Sequence, residues 1–194
     1  RIPVGWQNLD ELATRIAPFT LHIKTSDVVD LPAEHHIEIP IEVTPEQLKA
    51  HKELAKHYYT RLNDEEEIAI GSLLELSLRL HQVSCGYYLP TGAMELSYFK
   101  SNPKLDKLLE LLDEIAEPTV IFTRFRADVT MIKAKLPDSK LLVGGTQEHV
   151  EWQQGKGTHL IANIAAGSAG VDLTRARFCI YYSTGYSRTD FVQS

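Results

Sequence analysis

Two hydrophobic rhythms run along the chain, and they change over near residue 100. In the first half, Leu9 to Ile16 reads as a short amphipathic helix. Phe19 to Lys24 alternates weakly, and His35 to Val43 alternates better, with Ile37, Ile39, Ile41 and Val43 on one face; both segments are expected as strands. Thr44-Pro45-Glu46-Gln47 is a helix start. Thr44 can cap, Pro45 suits the first helical position and Gln47 completes a capping box. That helix is expected to run to about Leu62. Asn63-Asp64 breaks it and caps a second, about Glu65 to Ser84, with Ile68, Leu73, Leu76 and Leu80 on overlapping faces; Cys85-Gly86 stops it.

In the second half strands and helices alternate. Asn102-Pro103 opens a helix with Leu105, Leu108, Leu109, Leu112 and Ile115 at helical spacing, and Pro118 ends it. Thr119 to Phe122 is the short, fully apolar run of a buried parallel strand. A helix over Arg126 to Leu136 follows, with Val129, Ile132 and Leu136 inward. Then come a strand at Lys140 to Val143, a turn at Gly144-Gly145, a short helix near Gln147 to Gln154 and a strand at His159 to Asn163. A turn at Gly167 to Gly170 leads to a strand at Phe178 to Tyr182. Short loops between alternating elements imply βαβ units, hence an α/β fold with a parallel sheet covered on both faces.

Composition fits one such core. The 194 residues are 43% hydrophobic and 24% charged. No apolar run approaches the roughly 20 residues of a membrane helix, so no membrane partner is expected. The chain starts at Arg1 without a signal-like segment and stops at Ser194 inside an expected helix; both ends are expected to be edges of a fragment. Cys85 and Cys179 are far apart and expected as reduced thiols. No CxxC or HxxxH pair is present, so zinc is not expected.

The net charge is -6, which on its own argues against a nucleic-acid binder. Its distribution changes that picture. Residues 1–117 carry -9 and residues 118–194 carry +3, so the acid lies in the helical half and the α/β half is mildly basic.

In an open parallel sheet, ligands bind at the carboxyl ends of strands. Three loops are expected there: Thr123-Arg124-Phe125, Gly144-Gly145-Thr146, and Asn163 to Thr174. The last reads NIAAGSAGVDLT. Gly167, Ser168 and Gly170 would let backbone N–H groups approach a phosphate, Ser168 and Thr174 offer hydroxyls, and Asp172 offers an acceptor for a ribose hydroxyl or an internal contact. On composition alone a plain turn and a phosphate cradle both remain open. No GxxxxGK[ST], no GxGxxG after a strand and no GxSxG elbow occurs, so no complete catalytic site can be assembled. Tyr181, Tyr182 and Tyr186 could stack on bases but fit packing roles better, as do Trp6 and Trp152.

These segments, in one collinear order over nearly the whole chain, resemble the C-terminal half of SWI/SNF-type ATPases within superfamily 2 helicases. FTLHIKTSDVVDLPAEHHIEIPIEVTPEQLKAH is similar to the segment linking the two motor lobes. LRLHQVSCGY resembles the family's leucine-rich helix ending near a Cys. SNPKLDKLLELLDEIAEPTVIFTRF resembles the helix leading into the second lobe and motif IV. LLVGGTQ stands at the following G-x-T loop, and HLIANIAAGSAGVDLTRARFCIYYSTGYSRTDFVQS resembles motif V and the lead into motif VI.

The resemblance implies a RecA-like second lobe at residues 101–194, preceded at 1–100 by an inter-lobe linker and helical extension. It implies a parent that binds ATP and Mg between two lobes and moves on DNA, most readily duplex DNA. This chain would lack the N-terminal RecA-like lobe and be inactive alone. By position, Thr123, Arg124, Gly145, Thr146, Ser168 and Thr174 would contact nucleic acid. Gly167, Gly170 and Asp172 would lie on the nucleotide side, and Gln193 would open motif VI. Ser168 stands where the family has a second glycine and Asp172 where it has Asn, which favours a ribose-facing or internal role for Asp172. The LHIKT stretch lacks the family's paired arginines, and the motif VI arginines are expected beyond Ser194. The lack of a basic cluster favours a bacterial or phage cytoplasm. Two other classes fit some of the features: a non-catalytic interaction domain binding through the acidic helices at 45–85, and a nucleotide-sugar lobe, which gives no reason for the DLP and NPKLD segments.

Overall fold

The computed structural model describes residues 7–21, 35–64, 70–90, 92–146, 148–164 and 171–185. Packing divides the chain into residues 1–39 and residues 40–194. The break thus falls at Ile39–Pro40, whereas the change of rhythm falls near residue 100.

In the first unit, helix α1 spans Leu9–Ile16 as its periodicity predicts, with Leu9, Leu12 and Ile16 exposed. A 3-10 turn at Ala17–Phe19 follows. Phe19 is therefore not the start of a strand. Pro18 fixes a helical φ, and the Thr20 hydroxyl donates back to the Ile16 carbonyl at 2.9 Å. Residues 22–24 of that expected strand lie outside the described residues.

The better alternating run, His35 to Val43, forms no regular element. A strand needs a neighbour to take its N–H and C=O groups, and alternation alone does not supply one. Ile37 is 82% exposed.

The second unit opens on α2, Pro45–Asp64. Its capping box is formed in both directions: Gln47 N–H donates to Thr44 Oγ1 at 3.1 Å and Thr44 N–H donates to Gln47 Oε1 at 2.9 Å. Gln47 also donates from Nε2 to the Val83 carbonyl at 3.0 Å, tying the start of α2 to the end of α3, Ile70–Ser84. A short antiparallel hairpin follows, β1 (Tyr87–Tyr88) with β2 (Ser97–Tyr98). Two-residue strands are too short to leave a period in the sequence.

Helix α4, Pro103–Ile115, starts where Asn102-Pro103 predicts, with Leu105 N–H donating to Asn102 Oδ1 at 3.2 Å. Strand β3 (Thr119–Thr123) is buried throughout. Then come α5 (Arg126–Lys135), β4 (Lys140–Leu142), α6 (His149–Gln153), β5 (His159–Asn163) and β6 (Phe178–Tyr181). The sheet order is β4-β5-β3-β6 and every pairing is parallel.

Side chains alternate across this sheet, as parallel strands covered on both faces require. Ile121 and Ile161 face one way, onto Leu105, Leu108 and Leu112 of α4 and Val129 and Ile132 of α5. Cys85, Tyr87 and Tyr182 complete that layer. Val120, Phe122, Leu160 and Ala162 face the other way, onto Trp152 of α6. Trp152 is fully buried and its indole N–H donates to the Thr158 carbonyl at 3.1 Å. Tyr181 stacks on Phe122, with ring centroids 5.1 Å apart. Tyr181 and Tyr182 therefore both pack; Tyr186 and Trp6 lie outside the described residues. Cys85 is buried, Cys179 is exposed, and both are free thiols. No described helix is long and apolar enough to cross a membrane.

The stop after α3 is tightly specified. Gly86 has φ +99°, and an added Cβ would sit 2.2 Å from Asn102 Nδ2, the side chain that caps α4. Gly86→Ala is therefore expected to destabilise the fold by about 1–3 kcal/mol, the scale of a non-glycine residue forced to positive φ. Urea unfolding of the variant against wild type measures this.

Candidate nucleic-acid interface

All four strands run the same way, so their carboxyl ends share one edge. The register fixes it: Thr123 pairs with Asn163, Phe122 with Tyr181 and Leu142 with Ala162. Thr123-Arg124-Phe125, Val143 to Thr146, Asn163-Ile164 and Tyr182-Ser183 therefore lie along one rim.

The loop after β3 is held from three sides. Asn163 Nδ2 donates to the Arg124 carbonyl at 3.0 Å. Arg124 N–H donates to Ser183 Oγ at 2.7 Å, and Ser183 Oγ in turn donates to Asp128 Oδ2 at 2.5 Å. The same Oδ2 accepts Phe125 N–H at 3.4 Å, while Oδ1 accepts the Tyr87 hydroxyl at 2.9 Å. Asp128 is fully buried. Burial pushes its carboxyl above the ordinary range, and the hydrogen bonds from Ser183, Tyr87 and Phe125 pull the other way. The Tyr87 phenol is pushed far up by burial and by this carboxylate.

A second cluster adjoins the first. Asn102 Nδ2 donates to the Cys85 carbonyl at 2.9 Å, and the Tyr182 hydroxyl donates to the same carbonyl at 3.3 Å. The Cys85 thiol is pushed up to about 12, chiefly by burial. Lys104 lies over the Tyr182 ring at 4.9 Å and Arg124 over the Phe125 ring at 5.4 Å. His81 meets Phe125 edge-on at 5.1 Å. Its imidazole is depressed to about 4, by burial first and then by the Lys104 and Arg124 cations.

The individual candidates fare differently. Thr123 is fully buried and its hydroxyl donates to the Ala162 carbonyl at 3.2 Å. It secures the strand end and offers no hydroxyl to a ligand. Arg124 is half-buried on the rim. Thr146 stands at the rim, but its hydroxyl closes the β4 turn, contacting the Val143 carbonyl at 3.1 Å and receiving Val143 N–H at 3.2 Å. Gly145 has φ +95°, is exposed, and leaves open space where a Cβ would be, so backbone can be approached there. Gly167, Ser168, Gly170 and Gln193 lie outside the described residues.

Asp172 and Thr174 do not join the rim. Asp172 Oδ1 accepts the Thr174 N–H at 3.0 Å and its hydroxyl at 2.7 Å. The Asp172 carbonyl accepts from Gln153 at the end of α6. Arg175 donates to the Gly157 carbonyl at 3.0 Å, two residues before β5 begins. By Thr174 the chain has already crossed to the amino edge, where β6 starts four residues later. Of the ribose-facing and internal roles expected for Asp172, its described hydrogen bonds are internal ones.

Asp128 and Ser183 were not legible as rim residues, whereas Asn163 opens the third expected loop. The only sequence signal is a carboxylate at the third position of α5 and short polar residues just past strand ends. Among the described residues no group of three His, Cys, Asp or Glu could hold a metal ion.

No family model matches the sequence, and no curated protein matches it. Solved structures do. The SWI2/SNF2 ATPase core domain of Sulfolobus solfataricus matches with a TM-score of 0.63 at 19% identity, over 93% of this chain and 41% of that one. The same organism's SWI2/SNF2 ATPase core in complex with dsDNA matches with a TM-score of 0.61 at 20% identity, over 89% of this chain and 40% of that one. The chain has the fold of a RecA-like SWI2/SNF2 lobe. It spans about 40% of the length of those cores. At such identities the likeness establishes the fold alone.

Two outcomes test this geometry. Ser183→Ala, which leaves Asp128 one donor short, is expected to cost about 1–3 kcal/mol in urea unfolding and to raise amide exchange at Arg124. For His81, the folded state disfavours the proton. Stability tied to it is present above about pH 6.5 and is lost as pH falls towards 4. His81→Phe is expected to lose less stability than wild type between pH 7 and pH 5.

Proposed function

We propose that this chain is the second motor lobe of an ATP-dependent DNA translocase or helicase of SWI/SNF type. Its carboxyl rim contacts the nucleic-acid backbone and borders the ATP cleft, and the partner lobe that carries the P-loop is supplied from outside these 194 residues. The single observation supporting this most strongly is the shared rim: one parallel sheet whose β3, β4 and β5 end on the same edge. The match to SWI2/SNF2 ATPase cores, one of them in complex with dsDNA, supports the choice of motor and of duplex DNA.

Within this reading Arg124 is the rim cation and Gly145 the point of close backbone approach. Thr123, Asn163, Ser183 and Asp128 are positioning residues. Thr146 shapes its turn. Gly167, Ser168 and Gly170 keep their proposed phosphate and nucleotide roles. For Asp172 and Thr174 the described contacts favour holding the return of the chain over touching a ligand.

The residues present do not fit ATP and Mg by themselves. No P-loop occurs in the sequence, and no described acidic cluster could hold the metal. The nucleotide would rest mainly on the partner lobe. Alone, the chain is expected to show no ATP turnover, since losing even one phosphate-stabilising arginine typically costs about 10³-fold or more.

Titration of the chain with a fluorescent 30-base-pair duplex, alongside an ATPase assay, tests this. Weak binding that fades with salt is expected, with Arg124→Ala several-fold weaker. Measurable ATP turnover by the pure chain, or salt-independent binding through the helices at 45–85, would overturn the proposal.

A further inference from the structure

The opposite edge of the sheet holds a second basic feature. A cleft of about 510 Å³ opens at the amino ends of β4 and β5. Lys133, Lys140, Lys156 and Arg175 line it, with Asp138 as the one carboxylate in the wall. Two connections make most of its walls, the one between α5 and β4 and the one between α6 and β5, and Arg175 joins them from the connection into β6. They approach closely at Gly157, where a Cβ would meet the Asp138 carbonyl at 2.4 Å with φ at +75°.

Part of this charge answers the fold. Lys133 donates to the Pro137 carbonyl at 2.9 Å and the Ser139 carbonyl at 2.5 Å, both beyond the end of α5. Arg175 donates to the Gly157 carbonyl at 3.0 Å and to the Trp152 carbonyl, and its guanidinium covers the Trp152 indole at 5.0 Å. Helix carboxyl termini attract cations in this way. The rest is surplus. Lys140 and Lys156 share one carboxylate, Glu151, at 2.7 and 4.0 Å, and the Lys156 side chain is 63% exposed. A concave wall focuses the field of such a surplus on whatever enters.

The lining also says what kind of anion fits. It holds no aromatic face on which a base could stack, because the nearby indole is buried under Arg175. Recognition here is of charge without base. We propose that this cleft binds phosphates of a nucleic-acid backbone, as a second contact on the edge opposite the rim. The proposal takes its ligand class from the nucleic-acid reading above, but its residues are separate from the rim.

The test is duplex binding measured over a salt series for wild type, Lys140→Ala/Lys156→Ala, Asp138→Asn and Arg124→Ala. Lys156 is exposed and Lys140 half-buried against Glu151, so circular dichroism and urea unfolding check that the double variant keeps the fold. The double variant is expected to bind about tenfold more weakly, with the slope of log K against log salt reduced by about 1–2. Asp138→Asn is expected to bind more tightly than wild type. If the double variant matches wild type while Arg124→Ala weakens binding, the cleft proposal falls and the rim stands. If only the cleft variants change binding, the rim assignment falls and the cleft stands. A wild-type chain that binds no duplex at low salt overturns both.

Discussion

A single buried carboxylate organises the part of this lobe that faces outward. Asp128 accepts from the Tyr87 hydroxyl, the Ser183 hydroxyl and the Phe125 amide, so three segments far apart in sequence meet on two oxygen atoms. A buried carboxylate with fewer donors would be costly, and one with three fixes whatever it holds. What it holds is the start of α5, the end of β6 and the β1 hairpin. Arg124 is fixed one step further out, through the shared Ser183 oxygen. The rim loop therefore takes its shape from the core beneath it.

That dependence explains why the helical half and the α/β half form one packed unit from residue 40 onward. Cys85 and Tyr87 follow α3 directly and are buried beside α4, α5 and Tyr182. The Cys85 carbonyl is shared by Asn102 and Tyr182, and Gly86 leaves room for the Asn102 side chain. The acidic helices and the mildly basic sheet differ in charge but are joined through Cys85 and Tyr87, which follow α3 into the core.

Much of the fold was legible in the residues. The Thr44–Gln47 box, the Asn102-Pro103 start and the all-apolar Thr119–Phe122 run each carry local physics strong enough to act alone, and each element formed there. The His35–Val43 run misled because alternation describes a strand's faces and says nothing about its neighbours. Of the proposed rim, the strand-end positions of Thr123, Arg124 and Thr146 followed from βαβ alternation. What their side chains do did not follow. Whether a threonine hydroxyl turns to a ligand or to the Ala162 carbonyl depends on the adjacent strand, which lies about 40 residues away in sequence. Asp172 and Thr174 do not share an edge with Thr123: they bond to one another and to the end of α6, close before the start of β6.

The claim at the centre is that the carboxyl rim is the face a nucleic acid meets. Amide hydrogen exchange of the chain with and without duplex DNA reads this residue by residue. Protection gained at residues 123–126 and 143–146 is the expected result, with or without a second footprint at 155–158. Protection confined to the helices at 45–85, with the rim unchanged, would contradict it.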